Sequence, residues 1–463
     1  MLKQKGALPL KEKIDLINIY EKEKKNERND GVHCKDCNKC YIGQTKQYLK
    51  KRIYNHQYTV THNVTAETAL SKHSKDRRHN FDFQNTKILK KENNYKKRLI
   101  YEMIYIKKDE NAVVESVILP KMGLYSEKSK VRLDGKTAII TGCNTGIGKE
   151  TAMDLYKRGA TVIMACRNTE KAEEAANDII NSTKEIQNHG KIIVVELNLS
   201  SLASVRECSD KILQKHERID LLINNAGVMT CPYGKTEDGF ETQIGTNHLG
   251  HFLFTLLLLP RIIQSTPARI VNVSSMAHRG IVVIKTFIIF EFHLNLLVCK
   301  KSDPVLSQTS LTGYIDFDDL NWDKRSYSAA GAYQQSKLAN ILFTKELNRR
   351  LKEANIEGVT VYTLHPGAIN TDLQRHIGAT YGKTISWMIN SAGKCFFKTP
   401  LEGAQTTIYC AIDEKAGKES GLYYSECKPT RPSDKAEDMT TAKRLWDVSY
   451  DLVKLQDYDP FKN

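Results

Sequence analysis

The chain has 463 residues, 40% of them hydrophobic, and a formal net charge of +15. This length exceeds one ordinary domain, and the hydrophobic content is sufficient for a packed core, which excludes a wholly disordered chain. The eleven cysteines are odd in number and mostly scattered, which argues against a disulfide framework and fits a reducing compartment.

The positive charge is concentrated near the N-terminus. Residues 1–130 contain 29 Lys and Arg against 16 Asp and Glu, whereas the remainder contains 40 against 38. A basic segment joined to a nearly neutral one indicates two modules with different partners. The basic segment is either a solvated arm or a region that binds nucleic acid.

The first motif in chain order follows a charged arm over residues 1–30. Cys34, Cys37 and Cys40, with His33 or His56, could supply four zinc ligands. A C-x-x-C pattern without a clear second pair is only a modest sign of a metal site, so a second interpretation of this region stands beside it.

That interpretation starts from the run Cys40-Tyr41-Ile42-Gly43-Gln44-Thr45 and from Arg52 and Glu102 further along the chain. Residues 31–108 resemble the GIY-YIG nuclease domain, in the version carried by Penelope-like retroelements. The resemblance implies a small basic α+β domain over 31–110, in which Tyr41 and Arg52 act in phosphodiester cleavage and Glu102 holds a divalent metal. A carboxylate suits Mg²⁺, and basic surroundings suit a DNA backbone.

The nuclease motif is incomplete. Gly31-Val32-His33 stands where Gly-Ile-Tyr is expected, so one tyrosine is missing. We therefore expect a degraded, inactive remnant with residual nucleic-acid binding, joined by a linker over 111–130 to a second domain over 131–463.

In this second domain, short β-branched runs alternate with longer amphipathic runs. Strands are predicted over 137–141, 161–166, 191–197, 219–223, 269–273 and 359–364, with a weaker one over 421–424. The helices between them include 149–157, which ends before Gly159, and one that begins at Thr169. Regular β-α-β alternation predicts an α/β fold, a doubly wound parallel sheet with helices on both faces.

A glycine-rich run links the first strand to the first helix. Its residues are Thr141-Gly142-Cys143-Asn144-Thr145-Gly146-Ile147-Gly148. Glycines in a turn between a strand and a helix let backbone N–H groups approach a pyrophosphate. The run therefore predicts a dinucleotide site.

The spacing of this run and the motifs after it resemble the short-chain dehydrogenase/reductase family. The further motifs are Asn224-Asn225-Ala226-Gly227, Asn247, Ser274-Ser275, Tyr333-x-x-x-Lys337, and His365-Pro366-Gly367 with Thr371. Local phrases such as NHLGHF and VNVSS resemble the retinol dehydrogenase branch. The resemblance implies a Rossmann-type fold and an NADP(H)-dependent oxidoreductase that interconverts a lipophilic, retinol-like alcohol and its aldehyde or ketone.

The family pattern also implies the cofactor-binding residues. They are Gly142, Cys143, Asn144, Thr145, Gly146, Ile147, Gly148, Asn225, Ala226, Tyr333, Lys337, Pro366, Gly367 and Thr371. The second strand ends in Cys166-Arg167 without a carboxylate, and Arg167 can pair with the 2′-phosphate of NADP. Asn198 stands where the family has an aspartate near the adenine, and it can still accept a hydrogen bond.

Four residues are expected to carry the chemistry. Tyr333 would act as the acid/base, and Lys337, four positions on, would lie on the same helix face and lower the tyrosine pKa. By resemblance, Lys337 also binds the nicotinamide ribose. Ser275 would hydrogen-bond the substrate oxygen, with Ser274 as the alternative, and Asn247 would position a water in the proton relay.

The apolar residues of 368–400 fit either a substrate lid or ordinary core packing. The N-terminus lacks the apolar stretch of a signal peptide. The apolar run 252–260 is too short to cross a bilayer, and 281–299 carries Lys285, Glu291 and His293. We expect an intracellular protein, cytoplasmic or peripheral to the endoplasmic reticulum, that could form a homo-oligomer.

An unusual segment separates two of the predicted catalytic residues. Ser275 and Tyr333 are 58 positions apart, and removing the 32 residues 281–312 would leave 26, as in the retinol dehydrogenase branch. The segment is either a retained intron or gene-model error, or a genuine surface insertion, since loops tolerate length. The alternative function is a DNA-binding or nuclease remnant whose reductase unit is inactivated by this insertion.

Overall fold

The computed structural model describes residues 32–34, 40–41, 81–82, 124–280, 313–369, 373, 379–380 and 398–462. The chain divides into two compact units, Met1–Met122 and Gly123–Asn463. The sequence placed the start of the second domain at 131, in the short stretch that leads into its first strand.

Three short strands are described in the first unit. They are β1 (Val32–Cys34), β2 (Cys40–Tyr41) and β3 (Phe81–Asp82), arranged in the order β2-β1-β3. Both pairings are antiparallel. Tyr41 therefore lies in a strand, whereas Arg52, His56 and Glu102 lie outside the described residues.

The second unit is built on one eight-stranded sheet. Its strands are β4 (Thr137–Thr141), β5 (Thr161–Cys166), β6 (Lys191–Glu196), β7 (Leu221–Asn224), β8 (Ala268–Val273), β9 (Val359–His365), β10 (Leu422–Ser425) and β11 (Lys428–Pro429). The order is β11-β10-β9-β8-β7-β4-β5-β6, and every pairing is parallel except that of β10 with β11. The order in which the chain adds strands to the sheet reverses between β4 and β7. In sheets of this kind, a ligand-binding crevice forms at such a point, outside the carboxyl ends of the strands.

The apolar runs explain this sheet. All five residues of β4 are buried, because helices cover both of its faces. The predicted strands agree with those observed to within a residue or two. Strand β7 begins at Leu221 rather than at the predicted residue 219. Asp220 before it donates its N–H to the Thr137 carbonyl oxygen, and its carboxylate binds Lys136 Nζ and the Thr137 N–H.

The antiparallel strand β11 was not predicted. It follows a turn in which Glu426 and Cys427 both have positive φ, +54° and +56°. Turns of this kind usually carry Asn or Gly, so the residues at 426 and 427 did not predict a hairpin there.

Nine helices are described in the second unit. They are α1 (Tyr125–Lys128), α2 (Gly146–Lys157), α3 (Thr169–Thr183), α4 (Leu202–Lys215), α5 (Thr242–Ile244), α6 (Gly250–Gln264), α7 (Ala329–Glu353), α8 (Pro400–Ile412) and α9 (Met439–Leu452). A π-helical turn, Gly245–Leu249, joins α5 to α6. Helix α2 begins three residues before the predicted start, because the glycines of the turn form its first turn.

Two hydrophobic cores lie on the two faces of the sheet. One contains residues of α4, α6 and α7, such as Phe252 and Phe343. The other contains residues of α2, α3 and α8, such as Leu155, Ile179 and Ile408. Full burial of each such side chain contributes about 1.5–3 kcal/mol. The predicted α/β Rossmann-type fold is confirmed for this unit.

Within the described parts of the chain, no helix combines the length and the hydropathy needed to cross a bilayer.

Candidate functional site

The glycine-rich turn lies at the carboxyl end of β4. Gly142 has φ +61° and Gly146 has φ +59°, conformations that other residues rarely adopt. A Cβ at Gly142 would lie 2.7 Å from the Ala226 Cβ, and one at Gly148 would lie 2.6 Å from the Gly142 carbonyl oxygen. Only glycine fits at these two positions, so the turn is as tight as a pyrophosphate site requires.

The residues between the glycines differ in exposure. Thr145 is exposed, Asn144 and Ile147 are partly exposed, and Cys143 is buried. The Cys143 N–H donates to Cys166 Sγ at 3.3 Å. Cys143 therefore supports the turn from inside, which differs from the direct cofactor contact predicted for it.

The loop after β7 is tied to the glycine turn. Asn225 Nδ2 donates to the carbonyl oxygens of Thr141 and Gly142, at 2.9 and 3.0 Å. The Asn225 and Ala226 N–H groups both donate to Thr141 Oγ1 at 3.0 Å. Asn225 and Ala226 thus stand beside the turn, where the sequence predicted a shared cofactor site.

Asn247 lies in the π-helical turn, and its side chain is bound within the protein. Its Oδ1 accepts from the Val228 N–H at 2.8 Å, and its Nδ2 donates to the Val228 carbonyl and to Ser336 Oγ, both at 2.9 Å. Both amide donors are occupied. A relay water at Asn247, as predicted, would therefore have to be bound through an oxygen.

His251, which the sequence motifs did not single out, is buried beside Asn247. His251 Nδ1 lies 3.0 Å from the Asn247 carbonyl oxygen, and Nε2 lies 2.8 Å from Thr141 Oγ1. Since Thr141 Oγ1 already accepts two N–H groups, its hydroxyl donates to Nε2 and the ring proton is on Nδ1. Burial lowers the pKa of His251 to about 4. A histidine four residues after Asn247 was the available signal.

Tyr333 and Lys337 are positioned by the N-terminal part of α7. Ser328 caps this helix by accepting from the Gly331 N–H at 3.1 Å. Tyr333 is 6% exposed and Lys337 is 3% exposed, and the Lys337 Nζ lies 5.8 Å from the centre of the Tyr333 ring. The predicted pairing of these residues on one helix face is observed.

Ser275 lies immediately after β8, with its side chain close enough to Tyr333 to lower the pKa of the phenol. The neighbouring Ser274 instead donates from its Oγ to the Lys337 carbonyl oxygen at 2.7 Å and is buried. Of the two serines, Ser275 is therefore the one placed to reach a substrate oxygen beside Tyr333, and Ser274 joins β8 to α7.

The expected lowering of the Tyr333 pKa is wrong for this structure. Burial raises the pKa of Tyr333 to about 12, and the hydrogen bond from Ser275 opposes this rise only in part. The penalty for burying a phenolate is the larger contribution, and the Lys337 ammonium adds no lowering that offsets it.

Burial also lowers the pKa of Lys337 to about 8. Its Nζ donates to the Val273 carbonyl oxygen at 3.0 Å, which is one use of the three donors an ammonium carries. A Cβ at Gly227 would lie 3.5 Å from the same Nζ and 3.2 Å from Asn247 Oδ1. The glycine thus keeps the space beside the ammonium free of a side chain.

The chain positions on either side of the insertion lie together. Gly280 ends the turn after Ser275. A Cβ at Gly313 would come within 2.8 Å of the His278 carbonyl oxygen and 3.6 Å of the Gln334 Cβ. The residues that flank the insertion therefore lie side by side, and Ser275 lies near Tyr333 despite their separation in sequence. Residues 281–312 lie outside the described residues.

The two residues predicted near the adenosine end differ in their contacts. Arg167 follows β5 directly and is exposed. Asn198 Oδ1 accepts from the Ser200 N–H and Oγ, at 3.2 and 2.7 Å, and its Nδ2 donates to Glu237 Oε1 at 3.0 Å. The amide of Asn198 therefore already orders its own loop.

Pro366 and Gly367 follow β9 at the same edge of the sheet. Gly367 has φ +107°, and a Cβ there would lie 2.9 Å from the Lys398 side chain. Thr371 and the apolar residues of the predicted lid, Trp387 among them, lie outside the described residues.

The features of this edge fit a dinucleotide cofactor. The glycine turn leaves room for a phosphate, and within the described residues no side chain caps the first turn of α2 at Thr145. Its N–H groups are thus open to an anion.

The side chains of the predicted nuclease and zinc sites lie outside the described residues.

Comparison with known proteins gives a consistent result. The family model for short chain dehydrogenases matches residues 136–284. Retinol dehydrogenase 13 of Homo sapiens is 45% identical over 331 residues, which cover 71% of this chain and 87% of that protein. Retinol dehydrogenase 12 of Homo sapiens is 44% identical over 329 residues, covering 71% and 90% respectively.

A solved structure is also similar. The crystal structure of a Mycobacterium Paratuberculosis protein has 35% sequence identity and a TM-score of 0.51, covering 72% of this chain and 98% of that chain.

Proposed function

Because the chain belongs to the short-chain dehydrogenase family, we propose that it is an NADP(H)-dependent reductase of lipophilic, retinal-like aldehydes or ketones, with Tyr333 as the proton donor. Proteins of this family are oxidoreductases that bind NAD(P). The observation that carries the proposal is the cluster of Ser275, Tyr333 and Lys337, in which Tyr333 and Lys337 are buried and Ser275 is partly exposed.

The positive charge of Arg167 supports a preference for NADP. Arg167 is exposed at the end of β5, next to the turn. A guanidinium binds a phosphate through paired hydrogen bonds, whereas a carboxylate at this position would favour the free ribose of NAD. When bound, NADPH supplies the hydride that reduces the carbonyl carbon.

The protein's part of the reaction is to hold the carbonyl oxygen and give it a proton. Ser275 would hydrogen-bond that oxygen, and Tyr333 would donate its phenolic proton to it. The nearby Lys337 ammonium would stabilise the phenolate that remains. Since the Tyr333 pKa is about 12, the phenol is protonated at neutral pH and has a proton to donate.

The substrate class is supported by the relatives, which are named as retinol dehydrogenases. The predicted location at the surface of the endoplasmic reticulum would suit a substrate that dissolves in membranes. The predicted homo-oligomer stays a prediction.

The test is to follow the oxidation of NADPH and of NADH by the purified full chain, with retinal and with a medium-chain aldehyde. We expect turnover with NADPH, slower turnover with NADH, and a higher kcat/KM for retinal. The Arg167→Ala variant should lose roughly 10-fold in kcat/KM with NADPH and little with NADH. Equal losses with both cofactors, or no turnover at all, would contradict the proposal.

For the first unit, we propose a nuclease remnant that binds DNA weakly and does not cut it. The basic charge of residues 1–130 and the missing tyrosine at His33 support this. The full chain with Mg²⁺ should leave supercoiled plasmid intact, and nicking that disappears in a Glu102→Gln variant would prove the remnant active.

A further inference from the structure

The turn that carries Ser275 is a short 3₁₀ helix, Met276–Arg279, with Ser275 as its N-cap. Ser275 Oγ accepts from the Ala277 N–H at 3.2 Å, and its side chain lies close enough to Tyr333 to lower the pKa of the phenol. The same hydroxyl thus belongs to the turn and faces the proposed proton donor. Its direction depends on how firmly the turn is held.

His278 lies in this turn and is fully buried. Its Nδ1 lies 2.6 Å from the Ser275 carbonyl oxygen, and its Nε2 lies 3.1 Å from the Ser433 N–H. A carbonyl can only accept and an amide N–H can only donate, so the proton is on Nδ1 and the lone pair on Nε2. Burial lowers the pKa of His278 to about 4, which keeps the ring neutral.

Further contacts hold the same turn. The Met276 N–H donates to His365 Nδ1 at 3.2 Å. Arg279 donates to the Arg431 carbonyl oxygen, and the His278 ring packs edge-on against Tyr423 with centroids 5.2 Å apart. The turn is therefore bound to the end of β9 and to the segment after β11, which are both distant in sequence.

We infer that His278 is a positioning residue that fixes the carbonyl of Ser275, and so the direction of the Ser275 hydroxyl, by bridging it to Ser433. This inference rests on the proposed function. The bond goes to the backbone of the serine that would hold the substrate oxygen, and His278 itself lies three residues before the insertion begins at 281. Because His278 also binds the Ser433 N–H, it holds Ser275 in place independently of the residues that follow Gly280.

Two isosteric substitutions separate positioning from packing. In His278→Asn, the side-chain NH₂ occupies the place of Nδ1 and still donates to the Ser275 carbonyl. In His278→Gln, the amide reaches only the place of Nε2 and that donor is lost. We expect kcat to stay within about threefold of wild type for the Asn variant and to fall about 10- to 100-fold for the Gln variant, since small displacements of a reacting group cost this much.

The KM for NADPH should stay unchanged in both variants, because His278 lies away from the glycine turn. Equal kcat values for the two variants, measured per folded molecule and alongside their melting temperatures, would overturn the inference and leave His278 a packing residue.

A measurement independent of turnover keeps the inference testable if the wild-type chain proves inactive and the proposed function fails. Side-chain ¹⁵N NMR of the full chain should show one buried histidine, absent from the His278→Gln spectrum, with its proton on Nδ1 at pH 7. A proton on Nε2 would overturn the inference, because the bond to Ser275 could not form.

Discussion

The glycine turn and the Ser275–Tyr333–Lys337 cluster are built in opposite ways. The turn comes from eight consecutive residues, and its shape is set by backbone conformations and by the lack of Cβ atoms. The cluster comes from Ser275, which follows β8, and from Tyr333 and Lys337 on α7, and the pKa values of the last two are set by burial. A local motif can therefore specify geometry, whereas the pKa values of a site depend on the whole fold.

The largest expected effect lies in the cluster. Tyr333→Phe removes the only proton donor that the proposed chemistry uses, and it should lower kcat about 10³-fold or more while NADPH binding is kept. Tyr327→Phe is the matched control, since the Tyr327 hydroxyl is partly buried but binds Glu241 Oε1 and the Cys231 carbonyl instead. Equal losses in the two variants would contradict a special role for Tyr333.

A smaller but clear effect is expected in the turn. Gly142→Ala places a Cβ 2.7 Å from the Ala226 Cβ, so it should raise the NADPH Kd about 10- to 100-fold. The control is Gly135→Ala, which has a similar φ of +73° but no atom within 4 Å of the added Cβ. Titration of NADPH fluorescence measures both. If Gly135→Ala weakens NADPH binding as much as Gly142→Ala does, the loss comes from the positive φ and not from crowding by the added Cβ.

The pH dependence of reduction should report on the cluster. Burial lowers the pKa of Lys337 to about 8, so the ammonium is present below pH 8 and is lost above it. Reductive kcat/KM should therefore fall up to about tenfold per pH unit above 8. Tyr333 cannot cause this fall, because its pKa is about 12. In Lys337→Arg, whose charge persists, any remaining activity should show no such fall.

A separate effect, on stability rather than on activity, is expected in acid. Burial lowers the pKa of His248 to about 3 and of His251, His278 and His365 to about 4. The unfolded chain binds protons near pH 6.5 and the folded chain does not, so stability is lost as the pH falls from 6.5 to 4.

Each of these histidines contributes at most about 1.4 kcal/mol of destabilisation per pH unit in that window. Urea unfolding at pH 7 and pH 5 measures the sum. His248→Gln should show a smaller loss than wild type, and an unchanged loss would contradict a neutral buried His248.

Much of the second unit could be predicted from the sequence, for physical reasons. Strands such as β4 are continuous apolar runs, and the glycine turn carries its own conformational signature. The hydrogen bonds of Asn247, the bridge made by His278 and the raised pKa of Tyr333 could not be predicted, because each depends on partners tens or hundreds of residues away.

The sequence left open whether the insertion 281–312 keeps Ser275 and Tyr333 apart. The positions of the residues that flank the insertion bear on this question. His278 and Gly313 are in contact, so a segment between them need not separate Ser275 from Tyr333.

The decisive comparison is between the full chain and a variant that lacks residues 281–312, with NADPH oxidation followed in the presence of retinal. We expect both to reduce retinal with kcat values within about threefold of each other, because Gly313 lies beside the turn of His278 and Ser275 lies beside Tyr333 in the full chain. If only the shortened variant is active, or if neither is, the claim that the full chain holds an assembled reductase site is contradicted.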